Sequence, residues 1–481
     1  MMYDVAIIGG GVVGGMLART LSSYKVKTCI LEKENDVAMG ASKANSAIVH
    51  AGFDAEPGTL KAKLNVKGSE MMEQVAKELG VKYKRNGSLV VGFNDDDKKI
   101  IEELYERGVK NGVKGLSILE SDELQEIEPN ISPDATCALN AETGAIICPY
   151  ELTIAAIGNA MDNGADLKVN FEVSKLDLCN GFYEITSTDG GSIKARYVVN
   201  AAGINADTIV AMANETDIKI HPRRGEYVLL DKASGGLVSH TIFRTPTAMG
   251  KGILVTPTVD GNLLLGPTAE DMEDKNNTAT TADGLSTILN RCTETTIGIN
   301  LRDTITSFCG LRAVGNTGDF IINSTAEHFI NAAGIESPGL SASPAIAEYI
   351  TEMLSNLGLE LTKNEKFNPI RKPAHLFREA SVAEKNKMIA ENRAYGRIIC
   401  RCEGVSEGEI REAIRTNPPA RDLDGVKRRT RAQMGRCQGG FCMPYITEIL
   451  SEELGVPYDG ITKNGGSSKL MTGKTKEGCE K

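Results

Sequence analysis

Apolar residues open the chain almost without interruption. Residues 4–8 (DVAII) form a short run that reads as a buried strand. Glycines follow at Gly9, Gly10, Gly11 and Gly14; residues 15–22 then carry a helical pattern, and 26–31 read as a second buried strand ending in Glu32. After a loop of small and polar residues over 40–53, residues 58–80 set Leu60, Leu64, Met71, Met72, Val75 and Leu79 at helical spacing. Residues 83–93 alternate as a strand, and 95–111 predict a charged amphipathic helix with a solvated face. Ser121-Asp122-Glu123-Leu124 opens another helix with a capping pattern.

The second half continues in the same way. A helix is predicted over 149–163, antiparallel strands over 167–178 and 181–188, and a buried strand running into glycine over 196–203. Segments 218–230 and 253–266 are strand-rich; the first holds Arg223, Arg224, Glu226 and Tyr227. A polar loop over 271–281 precedes a helix at 283–292. Segment 304–312 leads to Arg312 at a strand-to-loop transition, and a buried strand at 329–334 feeds a Pro/Gly turn and a helix to 357. Residues 365–392 lack strong periodicity and read as a linker; beyond 457 the sequence turns Gly/Ser/Lys-rich and reads as a mobile tail. No internal repeat is visible.

The opening pattern is strand, glycine turn, helix, strand, acid. Gly9 permits the tight turn, Gly11 lets backbone approach a pyrophosphate, and Gly14 lets the helix pack on the sheet. The helix N-terminus offers unpaired N–H groups and a positive dipole end to phosphates. Glu32, 18 residues past Gly14, can accept hydrogen bonds from an adenosine ribose. The motif predicts a dinucleotide site and does not choose between FAD and NAD.

At 481 residues the chain exceeds one core, so two or three domains are expected. Its net charge of −10 argues against nucleic acid as the main partner but leaves room for a local basic pocket. No apolar run reaches the roughly 18 residues of a membrane span. The N-terminus enters the first strand at once, so no signal peptide and a cytoplasmic location are expected. In that reducing compartment eleven cysteines should not form disulfides, and clustered ones read as metal ligands. Cys400-x-Cys402 and Cys437-x4-Cys442, separated by 34 residues, are four thiolates suited to zinc or an iron–sulfur cluster. Cys29, Cys179 and Cys309 sit in apolar runs and are expected to be inert core.

Four stretches together resemble the FAD-dependent oxidoreductases of the D-amino-acid-oxidase type: the glycine turn with Glu32, NSAIVHAGF, VVNAAGINAD, and GLRAVGNTGDF with AGIESPGLSASPAIA. The resemblance covers residues 1 to about 360 and implies FAD rather than NAD. Within the superfamily, NSAIVHAGFDAEPGTLKAKL looks like the L-2-hydroxyglutarate oxidases, whereas the whole architecture is similar to anaerobic glycerol-3-phosphate dehydrogenase catalytic subunits. The cysteine segment resembles the BFD-like domain, which binds a [2Fe–2S] cluster through positions matching Cys400, Cys402, Cys437 and Cys442.

The resemblance implies an α/β and α+β fold. It has a Rossmann-like FAD-binding domain (1–80, 145–215, 310–364), an inserted, mostly antiparallel-sheet substrate domain (81–144, 216–309), a linker (365–392), a small helical iron–sulfur domain (393–457) and a tail (458–481). FAD contacts are expected from Gly9, Gly11, Gly14, Glu32, Ser42, Asn45, Ser46, Val173, Gly203, Gly334, Gly339, Leu340 and Ser341. The last three open a helix whose N–H groups would stabilise negative charge on the reduced ring. His50 is expected beside the flavin as base or substrate contact. Arg312 is expected to grip the substrate's anion, with Arg224 or Arg223 as a second contact and Lys251 as a weaker candidate.

The implied reaction is oxidation of sn-glycerol 3-phosphate to dihydroxyacetone phosphate, with electrons leaving singly to a second flavoprotein or iron–sulfur subunit that could hold the enzyme at a membrane. An L-2-hydroxy acid, or an amino acid or opine, is the alternative substrate. A subunit that keeps FAD but has lost its substrate pocket is the non-enzymatic reading.

Overall fold

The computed structural model describes residues 2–214, 217–246, 252–373, 376–471 and 473. Its central sheet has a parallel core in the order Phe329–Ala333, Ser192–Asn200, β1 (Met2–Ile8), β2 (Thr28–Leu31), Asp166–Lys168. Val5, Ala6, Ile7 and Ile30 are wholly buried, because both faces of the sheet are covered; continuous apolar runs result rather than alternation. α1 (Val12–Ser22) crosses from β1 to β2 and packs with Pro149–Asp162, α2 (Leu60–Leu79) and α3 (Gly339–Asn356) through Met16, Leu17, Met72, Ile157 and Ile346. α2 and α3 touch closely at Gly68, where a Cβ would collide with the Ser341 carbonyl. That contact seats the N-terminus of α3. Truncating Leu17 in this core would cost about 2–5 kcal/mol.

A nine-stranded, mostly antiparallel sheet forms the second body, with one parallel pair, Thr241–Arg244 against Ser88–Gly92. Its long members β3 (Ile220–Leu230) and β4 (Thr304–Gly315) pair antiparallel along almost their whole length. The small C-terminal body is built on Glu407–Arg415, α4 (Leu423–Thr430) and α5 (Met443–Leu454) around Ile410, Ile414, Val426, Ile446 and Leu450.

Several boundaries differ from the pattern reading. The predicted 83–93 strand is two strands in different sheets, Tyr83–Arg85 and Ser88–Gly92; the chain changes sheets at Asn86-Gly87, with Gly87 at φ +71°. The 167–178 strand likewise divides into Asp166–Lys168, parallel to β2, and Val173–Cys179, in a hairpin. The cap of Ser121–Ile127 is Glu120, with Glu123 completing the box. Segment 365–392 is not featureless: it holds Leu376–Glu379 and Val382–Glu391, the latter capped by Ser381 and Glu384 and exposed enough to hide its periodicity. The described part of the tail packs on the small body, where Ile461 is buried and Leu423 and Asp424 N–H donate to the Thr462 and Lys463 carbonyls. Cys179 is exposed rather than core.

Candidate functional site

The glycine turn divides into residues that the protein itself requires and one that it does not. Gly9 has φ +116°, and a Cβ there would strike the Ala201 carbonyl. A Cβ on Gly14 would strike the Gly9 carbonyl. A Cβ on Gly11 would meet no backbone, only Ser42 Oγ in a tight contact at 3.3 Å, so this backbone stays approachable by a phosphate. Gly11 caps α1 without a side-chain bond, and the Val12 N–H donates to Ser42 Oγ at 2.9 Å. Glu32 is buried; Oε2 accepts from Gly10 N–H at 2.7 Å and Oε1 from Glu34 N–H at 2.9 Å. Burial pushes its carboxyl up, against the pull of those two amides. Gly203, at φ +57°, turns the chain just past Ala201. Val173 opens its strand next to Phe171, whose N–H donates to the Glu32 carbonyl at 2.8 Å. These groups form a cradle that fits the phosphates and ribose of a dinucleotide.

The 40–53 loop lies on one face of the β3–β4 pair. Residues directly paired across antiparallel strands share a face: Arg223 with Arg312, Gly225 with Gly310, Tyr227 with Phe308. The Tyr227 and Phe308 rings stack at 4.8 Å. On this face Ser46 Oγ lies 3.2 Å from Tyr227 Oη, and a Cβ on Gly310 would strike the Ala44 carbonyl. Asn45 shapes the loop, accepting from Ala47 N–H at 2.8 Å and donating to the Ala41 carbonyl at 3.0 Å.

Arg312 stands inside β4, not at its end; it is half-buried and donates to the Thr268 carbonyl at 3.2 Å. Among the described residues no carboxylate lies within 4.0 Å of it. Arg223, on the same face, is bound by Asp271 at 2.6 Å. Arg224 pairs with Leu311 and points through the opposite face, where Glu270 and Glu226 hold it. The strand's alternation therefore puts Arg224 on the face away from Arg312, and it puts on the Arg312 face Tyr227, which the sequence placed in this strand without a role. Lys251 lies outside the described residues.

His50 is half-buried. Its N–H donates to Ser341 Oγ at 2.7 Å, its Nε2 lies 3.4 Å from Ser337 Oγ, and its ring stands 5.9 Å from Phe243. Ser341 thus ties the 40–53 loop to the first turn of α3. α3 begins at Gly339 with no side-chain cap, and its N-terminal donors include Leu340 and Ser341. Gly334, at φ +61°, turns the preceding strand toward it.

The four C-terminal cysteines lie as two pairs, and among the described residues no three ligand side chains are gathered closely enough to hold a metal ion. Cys402 Sγ is 3.5 Å from Cys437 Sγ, and Cys400 hydrogen-bonds Cys442. The Cys442 bond brings the Cys400 thiol down to about 6 and pushes Cys442 up. The Gln433 and Glu403 backbone amides add to the lowering of Cys400; at Cys437 burial pushes the thiol up, and Cys402 with the Phe441 and Gly439 amides outweighs it. Gln433 and Gln438 adopt positive φ to place this loop. Sulfurs in two close pairs, each served by amides, fit the thiolates of a two-iron cluster. Burial raises Cys29 to about 12 and Cys309 to about 11, which keeps those thiols inert.

Residues 4–353 match the family model of FAD dependent oxidoreductases, and 398–452 match the BFD-like [2Fe-2S] binding domain. A glycerol 3-phosphate dehydrogenase of Caloramator mitchellensis is 49% identical over 477 residues, covering 99% of each chain. A glycerol 3-phosphate oxidase of Mycoplasma genitalium is 32% identical over 376 residues, covering 76% of this chain and 97% of its own. The solved structure of dithionite-reduced L-alpha-glycerophosphate oxidase from Mycoplasma pneumoniae, with FAD bound, aligns with a TM-score of 0.74 at 31% identity over 77% of this chain and 99% of its own.

Proposed function

The chain belongs to the family of FAD-dependent oxidoreductases, and from that premise we propose that it is a dehydrogenase oxidising sn-glycerol 3-phosphate to dihydroxyacetone phosphate. One observation carries the reading: the likeness to a glycerol 3-phosphate dehydrogenase runs the full length, cysteine domain included, whereas three quarters of this chain accounts for 97% of the oxidase. The protein uses FAD and a [2Fe–2S] cluster. When bound, FAD accepts the hydride of the alcohol, and the cluster carries electrons onward singly.

The chain's own residues supply the rest. Arg312, a half-buried cation with no carboxylate on its fork among the described residues, is suited to a phosphate, and Tyr227 and Ser46 line the same face. His50, held by Ser341 and near Ser337, is the group we assign to accept the hydroxyl proton. The uncapped start of α3 offers N–H groups and a positive dipole end to the negative charge of reduced flavin. Cys400, Cys402, Cys437 and Cys442 hold the cluster.

Among the described residues no helix is long and apolar enough to cross a membrane. We assign the acceptor to a second flavoprotein or iron–sulfur subunit and the enzyme to the cytoplasm, with any membrane attachment made through that subunit. The test is anaerobic mixing of the yellow protein with sn-glycerol 3-phosphate, L-2-hydroxyglutarate and amino acids. Bleaching of the flavin band by the phosphate alone is expected; bleaching by the hydroxy acid alone would contradict the substrate.

A further inference from the structure

The small C-terminal body grips the segment that builds the dinucleotide cradle. Asp36 lies four residues past Glu32, is 4% exposed, and accepts from two arginines of α4. Arg428 Nη2 donates to it at 2.5 Å, and Arg429 Nη1 and Nη2 donate at 2.8 and 2.7 Å. Both guanidinium groups are themselves buried. Next to Asp36, Asn35 donates to Asp422 at the start of α4.

The same segment also holds the glycine turn. At one end Glu32 accepts the Gly10 N–H; at the other, the Ala38 N–H donates to the Gly10 carbonyl at 2.9 Å. Ala38 sits at φ +60°, a conformation that costs an alanine of order 1 kcal/mol and persists only where its surroundings impose it. Gly10 is thus bonded on both its N–H and its C=O by residues 32 and 38, and the chain between them is fixed by ion pairs to α4. A buried carboxylate between two guanidinium groups is poor evidence of net stability, but removing the carboxylate leaves two buried cations uncompensated.

We propose that Asp36 is a positioning residue for the FAD site. Through it the small domain holds segment 32–38 against the glycine turn, so that FAD retention and docking of the small domain are linked. Linkage is reciprocal: loosening the small domain releases FAD, and FAD binding tightens the small domain. The inference rests on the glycine turn being the FAD site.

The test compares the wild-type holoprotein with Asp36→Asn and Arg428→Gln. Arg428→Gln keeps the Asp36–Arg429 pair, so it decides the matter if Asp36→Asn does not fold. The FAD dissociation constant is measured by fluorescence of released flavin, and amide hydrogen exchange is followed in peptides spanning 8–14 and 423–431. Asp36→Asn should weaken FAD binding about tenfold or more, with a smaller effect for Arg428→Gln. Exchange should quicken in both peptides together. Titrating FAD into wild-type apoprotein should slow exchange at 423–431, a response that a merely structural ion pair would not give. FAD affinity within about twofold of wild type in the folded variants, or exchange at 423–431 indifferent to FAD, would overturn the proposal. Wild-type protein that takes up no FAD would instead overturn the proposed function.

Discussion

Arg223 and Arg312 face each other across the β3–β4 pair, on the side covered by the 40–53 loop, while Arg224 points through the other side into Glu226 and Glu270. Adjacent arginines in one strand therefore have opposite fates. One lies on the face covered by the 40–53 loop; the other is a buried counter-ion.

Their substitutions should separate accordingly. Arg312→Lys keeps the charge but loses the two-pronged geometry, so KM for sn-glycerol 3-phosphate should rise about tenfold or more with FAD retained. Arg224→Met should instead lower the unfolding midpoint, because it removes the cation beside the buried Glu226 and leaves that charge to its Thr281 hydrogen bonds, and leave KM nearly unchanged. Steady-state kinetics beside thermal melts decide between them; an unchanged KM in Arg312→Lys would remove Arg312 from the substrate site.

The glycine turn makes a second separable pair. Gly14→Ala drives a methyl into the Gly9 carbonyl and should cost stability whether or not FAD is present. Gly11→Val would press on one hydroxyl, Ser42 Oγ, rather than on backbone, and should fold yet purify without yellow colour. Circular dichroism with the visible spectrum reads both effects, and stoichiometric FAD in Gly11→Val would contradict the cradle.

Cys437→Ser should lose or weaken the cluster. Its sulfur stands 3.5 Å from that of Cys402, and a serine hydroxyl is a poorer cluster ligand than a thiolate. Because the FAD domain has its own core, substrate should still bleach the flavin. Turnover with the acceptor should collapse. Iron and acid-labile sulfide analysis with stopped-flow reduction checks this; full acceptor-linked turnover in the variant would place the electron exit elsewhere.

Much of this is legible in the sequence alone. β1, the glycine turn and β2 are local, and their apolar runs need no partner to be recognised. The cysteine spacing likewise marked the small domain. What escaped depends on long-range pairing. The 83–93 alternation is continuous in sequence, but the chain changes sheets at Gly87, and only the pairing of Tyr83–Arg85 with Ala145–Ile147 reveals it. The side on which Arg224 lies follows from its strand's alternation only once Arg312 is known to pair with Arg223. Asp36 offered no signal at all: one aspartate in a loop, whose partners are 392 and 393 residues away.

That aspartate also predicts a pH dependence. Burial pushes its carboxyl up, but Arg429 and Arg428 outweigh burial and hold it at about 2, below the ordinary 3.8. A carboxyl with a folded value below its unfolded value stabilises fully above the unfolded value, and that contribution fades as pH falls through the folded one. The stability gap between wild type and Asp36→Asn should therefore be constant from pH 7 to about 5 and shrink by on the order of 2 kcal/mol by about pH 2. Urea unfolding at stepped pH measures the gap; one that does not change on acidification would contradict the ion pairs.

A dehydrogenase whose electrons leave through its own cysteine domain differs from an oxidase in where its reduced flavin discharges. The most direct measurement is an anaerobic titration of the holoprotein with sn-glycerol 3-phosphate, followed at the flavin absorbance band and by EPR of the reduced cluster, with oxygen then admitted. Flavin bleaching is expected together with the appearance of a reduced [2Fe–2S] signal, and reoxidation by oxygen should be slow. Flavin bleaching with a silent cluster, followed by rapid stoichiometric hydrogen peroxide formation, would contradict it.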